Sequence, residues 1–161
     1  MARGRARNSS DIVTDALQHY ADRGVFRGFR VATRPDGRRE YRFIWLMDRP
    51  FTVTFDPRSN RLACVKLFPA IGRVAALASD LQRAVHERTT REVPVHKRVD
   101  ARRARLRAEI RNGAFSIALT IRGANHEDAV RKLLNLVNDL FVLLHERYPD
   151  YLIARFGMKT E

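Results

Sequence analysis

The sequence predicts a single α+β domain with the order α-ββββ-α-ββ-α, a mostly antiparallel sheet carrying helices on one face. Three observations predict it. An apolar stripe at helical spacing runs through residues 125–147. Asn112-Gly113 lies between two runs of alternating apolar residues. Two further turn signals, Arg34-Pro35-Asp36-Gly37-Arg38 and Asp56-Pro57-Arg58-Ser59-Asn60, cut the first half into strand lengths. Antiparallel strands with helices segregated to one side define this class.

Residues 1–8 read as a flexible basic arm with Arg3, Arg5 and Arg7 and no acid. The domain spans 9–156, and 157–161 form a tail. Ser9 or Ser10 is expected to cap the first helix, whose apolar face is Ile12, Val13, Ala16, Leu17 and Tyr20, with Gly24 at its end.

Strands are predicted at Val25–Thr33, Arg39–Met47, Phe51–Phe55 and Arg61–Phe68. A bulge at Gly37 places Val31 opposite Tyr41 and Phe29 opposite Phe43. Asp48-Arg49-Pro50 is expected to turn the chain. After Pro69, the spacing of Val74, Leu77, Ala78, Leu81 and Val85 predicts a helix from about Ile71 to Arg88. Residues 88–100 lack a period, contain Pro94, and read as an exposed loop.

The Asn-Gly turn then pairs Ile110 with Phe115, Ala108 with Ile117, Leu106 with Leu119 and Ala104 with Ile121. Every pair is apolar, so a slip of one residue would turn the whole set to solvent. The closing helix comes next, with Asn125 as cap, Asp128 reaching back to it, and Pro149 at its far end. Its stripe, Val130, Leu133, Leu134, Val137, Leu140, Phe141 and Leu144 widened by Ala129, Leu136 and Leu143, exceeds what one hairpin covers. The rest of the chain or a second copy must cover the surplus.

The chain of 161 residues carries 31 Lys+Arg against 18 Asp+Glu, a formal charge of +13, nearly all of it from arginine. Such a balance favours an anionic partner: nucleic acid, an acidic protein or a membrane surface. Arginine-rich codon usage is the bland alternative. The hairpin concentrates the charge. Arg103, Arg105, Arg107 and Arg111 alternate with the apolar residues and face away from the core, with Glu109 among them. Their cross-strand partners are Arg122, Thr120, Ala118 and Ala114. Residues two apart on a strand sit about 7 Å apart, comparable to successive phosphates. Lys97, Arg98 and Arg102 are expected to lengthen the patch, and the arm's arginines to join it. The competing reading is a solvated sheet face whose arginine stems cover apolar surface.

Tyr41, Phe43 and Trp45 share a strand face and serve either a core or base stacking. Arg27-Gly28-Phe29 resembles the opening of the RNA-recognition-motif strand signature. Arg30 and Val31 stand where that signature has a small residue and an aromatic, and the family's element order differs.

No catalytic spacing is present. The histidines, at positions 19, 86, 96, 126 and 145, match no zinc motif. His126-Glu127-Asp128 reads as a capping turn. Cys64, the only cysteine, lies mid-strand without an activating base. Nucleophile elbow, phosphate loop and dinucleotide fingerprint are all missing. No cofactor or metal is predicted and the reading is non-enzymatic. No apolar run is long enough to span a membrane and no secretory signal is seen, so a cytoplasmic location is the default.

The order of helix, antiparallel strands, helix, hairpin and long helix over residues 11–147 resembles the type III secretion chaperone fold. The resemblance implies a small, often homodimeric protein that holds partner proteins without catalysis. Two features depart from that family: the basic charge, where its members are usually acidic, and four strands before the second helix, where three are usual. Residues 129–137, Ala-Val-Arg-Lys-Leu-Leu-Asn-Leu-Val, also resemble a segment of uncharacterised bacterial proteins, which implies no activity and no site. The function expected is therefore macromolecule binding, as a chaperone-like or adaptor module for a protein partner or as a homodimer. The alternative is a nucleic-acid-binding module, and an enzyme of unknown chemistry comes last.

Overall fold

The computed structural model describes residues 8–157; the predicted arm's Arg3, Arg5 and Arg7 and the tail's residues 158–161 lie outside the described residues. The chain forms helix α1 (Ser9–Asp22), strands β1 (Arg27–Thr33), β2 (Arg39–Ile44), β3 (Pro50–Asp56) and β4 (Arg61–Phe68), helix α2 (Leu77–Glu87), strands β5 (Ala104–Arg111) and β6 (Ala114–Ile121), and helices α3 (His126–Arg147) and α4 (Pro149–Phe156). The six strands make one sheet in the order β1-β2-β3-β4-β6-β5, antiparallel throughout. The domain is α+β.

The sheet register explains where the core sits. One row runs Val31, Tyr41, Val53, Cys64, Ile117, Ala108 across all six strands. Its four central members are buried to 2% exposure or less. Neighbouring inward rows add Phe43, Phe51, Phe55, Leu62 and Leu119. The helices cover this one face. α3 packs along β4 and β6, α1 on β1, β3 and α3, and α2 beside β5 and α3. The stripe of α3 is buried along its length, Leu136 included, and Leu143 is partly buried. The chain itself covers the surplus width that the sequence left between a second copy and the rest of the fold.

The Asn112-Gly113 hairpin has the predicted register at every pair, with both turn residues at positive φ, 53° and 75°, as a type I′ turn requires. Gly37, at φ 90°, closes the first hairpin, and Val31 faces Tyr41. Phe29 shares the place opposite Phe43 with Gly28, because a bulge at Gly28 (φ 65°) shifts the register between Arg27 and Arg30.

Several local expectations give way to nearby backbone geometry. Asn8, rather than Ser9 or Ser10, caps α1, its Oδ1 accepting from Asp11 N at 2.8 Å. Strand β2 stops at Ile44, since Met47 and Asp48 take left-handed φ in a 3-10 turn at Leu46–Asp48. The second helix begins only at Leu77, because Ala70 and Ala76 are left-handed and leave Ile71–Arg73 as an isolated 3-10 turn. Asn125 does not cap α3: its Nδ2 donates instead to Arg122 O at 2.6 Å, and Asp128 pairs with Arg131. Past Pro149 the chain continues as α4, which buries Tyr151 and Leu152.

Residues 88–100 are a fastened strap. Val99 N donates to Arg88 O at 2.8 Å, and the Arg88 and Val99 side chains are buried. Lys132 of α3, 7% exposed, donates to the carbonyls of Val95 and His96 at 2.9 and 2.7 Å. Asp139 of α3 binds both Arg88 and Lys97.

Candidate anion-binding face

The outer face of the sheet is the side the helices leave open. Its rows come from the same register. One row runs Ala32, Glu40, Thr54, Ala63, Ala118, Arg107. Another begins Arg30, Arg42, Thr52, Val65, and a third runs Asp56, Arg61, Thr120, Arg105. Apart from Asp56 and Arg61, short side chains and Val65 therefore fill the middle rows, and arginines stand at both margins.

The acids of this face are already matched. Glu40 accepts from Arg34 at 2.6 Å and from Arg42 at 2.7 Å, and the Arg34 hydrogen bond holds its carboxyl below the usual range. Asp56 lies 3.7 Å from the Arg38 guanidinium. Glu109 pairs with Arg61, a bridge from β4 to β5 that passes over β6 at Ala118, which is only 4% exposed. By contrast, among the described residues no hydrogen bond or ion pair engages the guanidinium of Arg30, Arg105, Arg107, Arg111 or Arg122. All five are exposed. Each guanidinium thus keeps its planar fork of donors free for an oxyanion.

The sequence-predicted patch is only partly assembled. Arg105, Arg107 and Arg111 form the β5 margin as predicted, and Arg122, one residue past β6, is exposed. Lys97 and Arg98 are not part of it. Lys97 binds Asp139 on the helical side, and Arg98 donates to the carbonyls of Arg91 and Val93 inside the strap. Arg102 is exposed but held by Asp100 at 3.0 Å. Arg103 joins Arg122 through the backbone at 2.8 Å, yet its side chain lines a cleft on the other side. Sequence reasoning missed Arg30, Arg42 and Arg61. Their alternation with inward residues was visible, but placing them on the same face as Arg105 needs the β4–β6 pairing.

The aromatic residues face inward. Tyr41 and Phe43 are buried, and Trp45 packs against Phe26, Phe43 and Phe51. Phe29 stacks beside Tyr41 at 6.1 Å. None of the outward positions in β1 to β6 carries an aromatic ring. The likeness of Arg27-Gly28-Phe29 to an RNA-stacking strand therefore has no ring on the open face to act through.

The cleft holding Arg103 lies between α1 and the start of α3 and measures about 510 Å³. Asp15, Glu127 and Asp128 share it with His19, Arg23 and Arg131, so its charge is mixed. Cys64 is 2% exposed, and burial pushes its thiol up to about 12, leaving it protonated near neutrality. Among the described residues no three His, Cys, Asp or Glu side chains group as metal ligands, and no helix is long and apolar enough to cross a membrane.

No protein family, curated protein or solved structure matches the chain.

Proposed function

We propose that this protein is a nucleic-acid-binding module that uses the outer face of its sheet. One observation carries the reading: four exposed arginines, Arg30, Arg105, Arg107 and Arg111, stand unengaged on a face whose acids are already paired. Unpaired like charges along a strand edge cost stability, and an oxyanion partner relieves that cost. The apolar stripe of α3 is buried within the fold, which supports this reading over a protein-holding groove built on that helix.

The test is a salt titration against a mixed-sequence oligonucleotide. Binding falls steeply with salt, and Arg105→Gln/Arg107→Gln/Arg111→Gln lowers the log–log slope by roughly three, about one per lost phosphate contact. Undetectable affinity at low ionic strength, or affinity indifferent to salt, refutes the proposal.

A second reading, a chaperone-like or adaptor module or a homodimer, draws on β1. This edge strand is exposed along nearly its whole length, with Val31 at 41%. A partner's strand added there would complete the ladder. The Gly28 bulge and the charges of Arg27 and Arg30 work against such pairing. A concentration-dependent rise in molecular mass that Val31→Lys abolishes would favour this second reading over the first.

A further inference from the structure

Building on the nucleic-acid reading of the outer face, we infer that its substrate class is duplex nucleic acid, held by its two phosphate backbones without reading the bases.

Two features lead there. The first is the spacing of the margins. Arg42 stands on β2 and Arg105 and Arg107 on β5, with β3, β4 and β6 between them. Four strand intervals separate the margins by about 19 Å. Arg30, in register with Arg42, extends the near margin outward. A single strand offers one row of phosphates and satisfies one margin. A duplex offers two rows, and both margins then find oxyanions at once.

The second feature is the floor between them. Thr52, Thr54 and Thr120 are short, and the Arg61–Glu109 pair crosses the floor over the buried Ala118. The threonine hydroxyls suit phosphate or sugar oxygens. The floor provides no ring on which a splayed base can stack, and stacking is the main attraction that single-strand binders add to charge. Base edges stay out of reach as well, because threonine side chains on the floor are too short to extend into a groove. The result is contact that is broad, electrostatic and tolerant of sequence.

The experiment compares one labelled 20-mer as duplex and as single strand, in two unrelated sequences, at matched salt. Duplex binds at least about fivefold more tightly, and the two sequences agree within about twofold. Arg30→Gln/Arg42→Gln, on the margin away from β5, then weakens the duplex about tenfold and the single strand by less than twofold. Arg30→Gln alone repeats the direction at an exposed, unengaged side chain, so a folding defect in the double variant cannot decide the result. Single strand bound as tightly as duplex, or a duplex indifferent to Arg30→Gln, overturns the inference while the nucleic-acid reading stands. If no nucleic acid of either form binds at low salt, that reading falls too. Binding of polyglutamate in its place points to an acidic protein.

Discussion

The hydroxyls of Thr14 on α1 and Tyr41 on β2 lie 2.8 Å apart, and Tyr41 has no exposed surface. Thr14 donates to Ser10 O and also accepts from Arg39, so the Tyr41 hydroxyl is the donor of the pair. Burial raises the Tyr41 phenol above its ordinary range, which keeps that proton in place. Tyr41→Phe removes one donor and leaves Thr14 satisfied by Arg39. The expected cost is about 0.5–1.5 kcal/mol in urea unfolding.

Truncating α3 is costlier. Phe141 lies 5.0 Å from the Phe68 ring and 5.7 Å from Phe51, and Leu134 is 5% exposed. Phe141→Ala or Leu134→Ala is expected to lose about 2–5 kcal/mol. A loss below about 1 kcal/mol at either site, measured by denaturant midpoint at constant m-value, contradicts the central role of this helix.

The strap at residues 88–100 responds unequally to removal of its two anchors. Asp139 serves both Arg88, whose side chain is 6% exposed, and Lys97. Asp139→Ala strands a buried guanidinium and is expected to cost about 1–3 kcal/mol. Arg88→Met leaves Asp139 still paired with Lys97 and costs less. Thermal unfolding and proteolysis within the strap check the order; equal losses refute it.

His126 gives the fold a pH response. Its Nε2 lies 3.1 Å from Asn60 Oδ1, its ring sits edge-on to Phe55, and burial holds its pKa below the ordinary 6.5. The folded state therefore favours neutral imidazole. Below pH 6.5 the unfolded chain takes up the proton first. Stability is then expected to fall until the pH drops below the folded value and to be level in this respect above 6.5. Replacing His126 with Gln flattens the slope in that window, measured as unfolding free energy against pH.

What the sequence displays is what local chemistry decides. Asn112-Gly113 admits one turn, and that turn sets every pair from Arg111–Ala114 to Ala104–Ile121. The stripe of α3 is legible for the same reason: its period is written in adjacent residues. The missing pieces depend on partners far along the chain. Lys132 and Arg88 look like solvated charges until the carbonyls of Val95 and His96 and the carboxylate of Asp139 arrive. Lys97 and Arg98 read as part of a basic patch, yet local bonds draw them into the strap. The left-handed residues Ala76 and Met47 cut elements short with no glycine or asparagine to announce them.

The junction between β4 and β6 governs how the chain assembles. Every other neighbouring pair in the sheet is closed by a short turn, so β1 to β4 and β5 to β6 are each locally encoded meanders. Only β4 and β6 unite residues about fifty positions apart, such as Leu62 with Leu119 and Phe68 with Phe115. Closing that seam bears most of the loop entropy of the topology. Ile117→Val, at the seam, is therefore expected to slow refolding, whereas Val31→Ala, at the outer edge, mainly speeds unfolding.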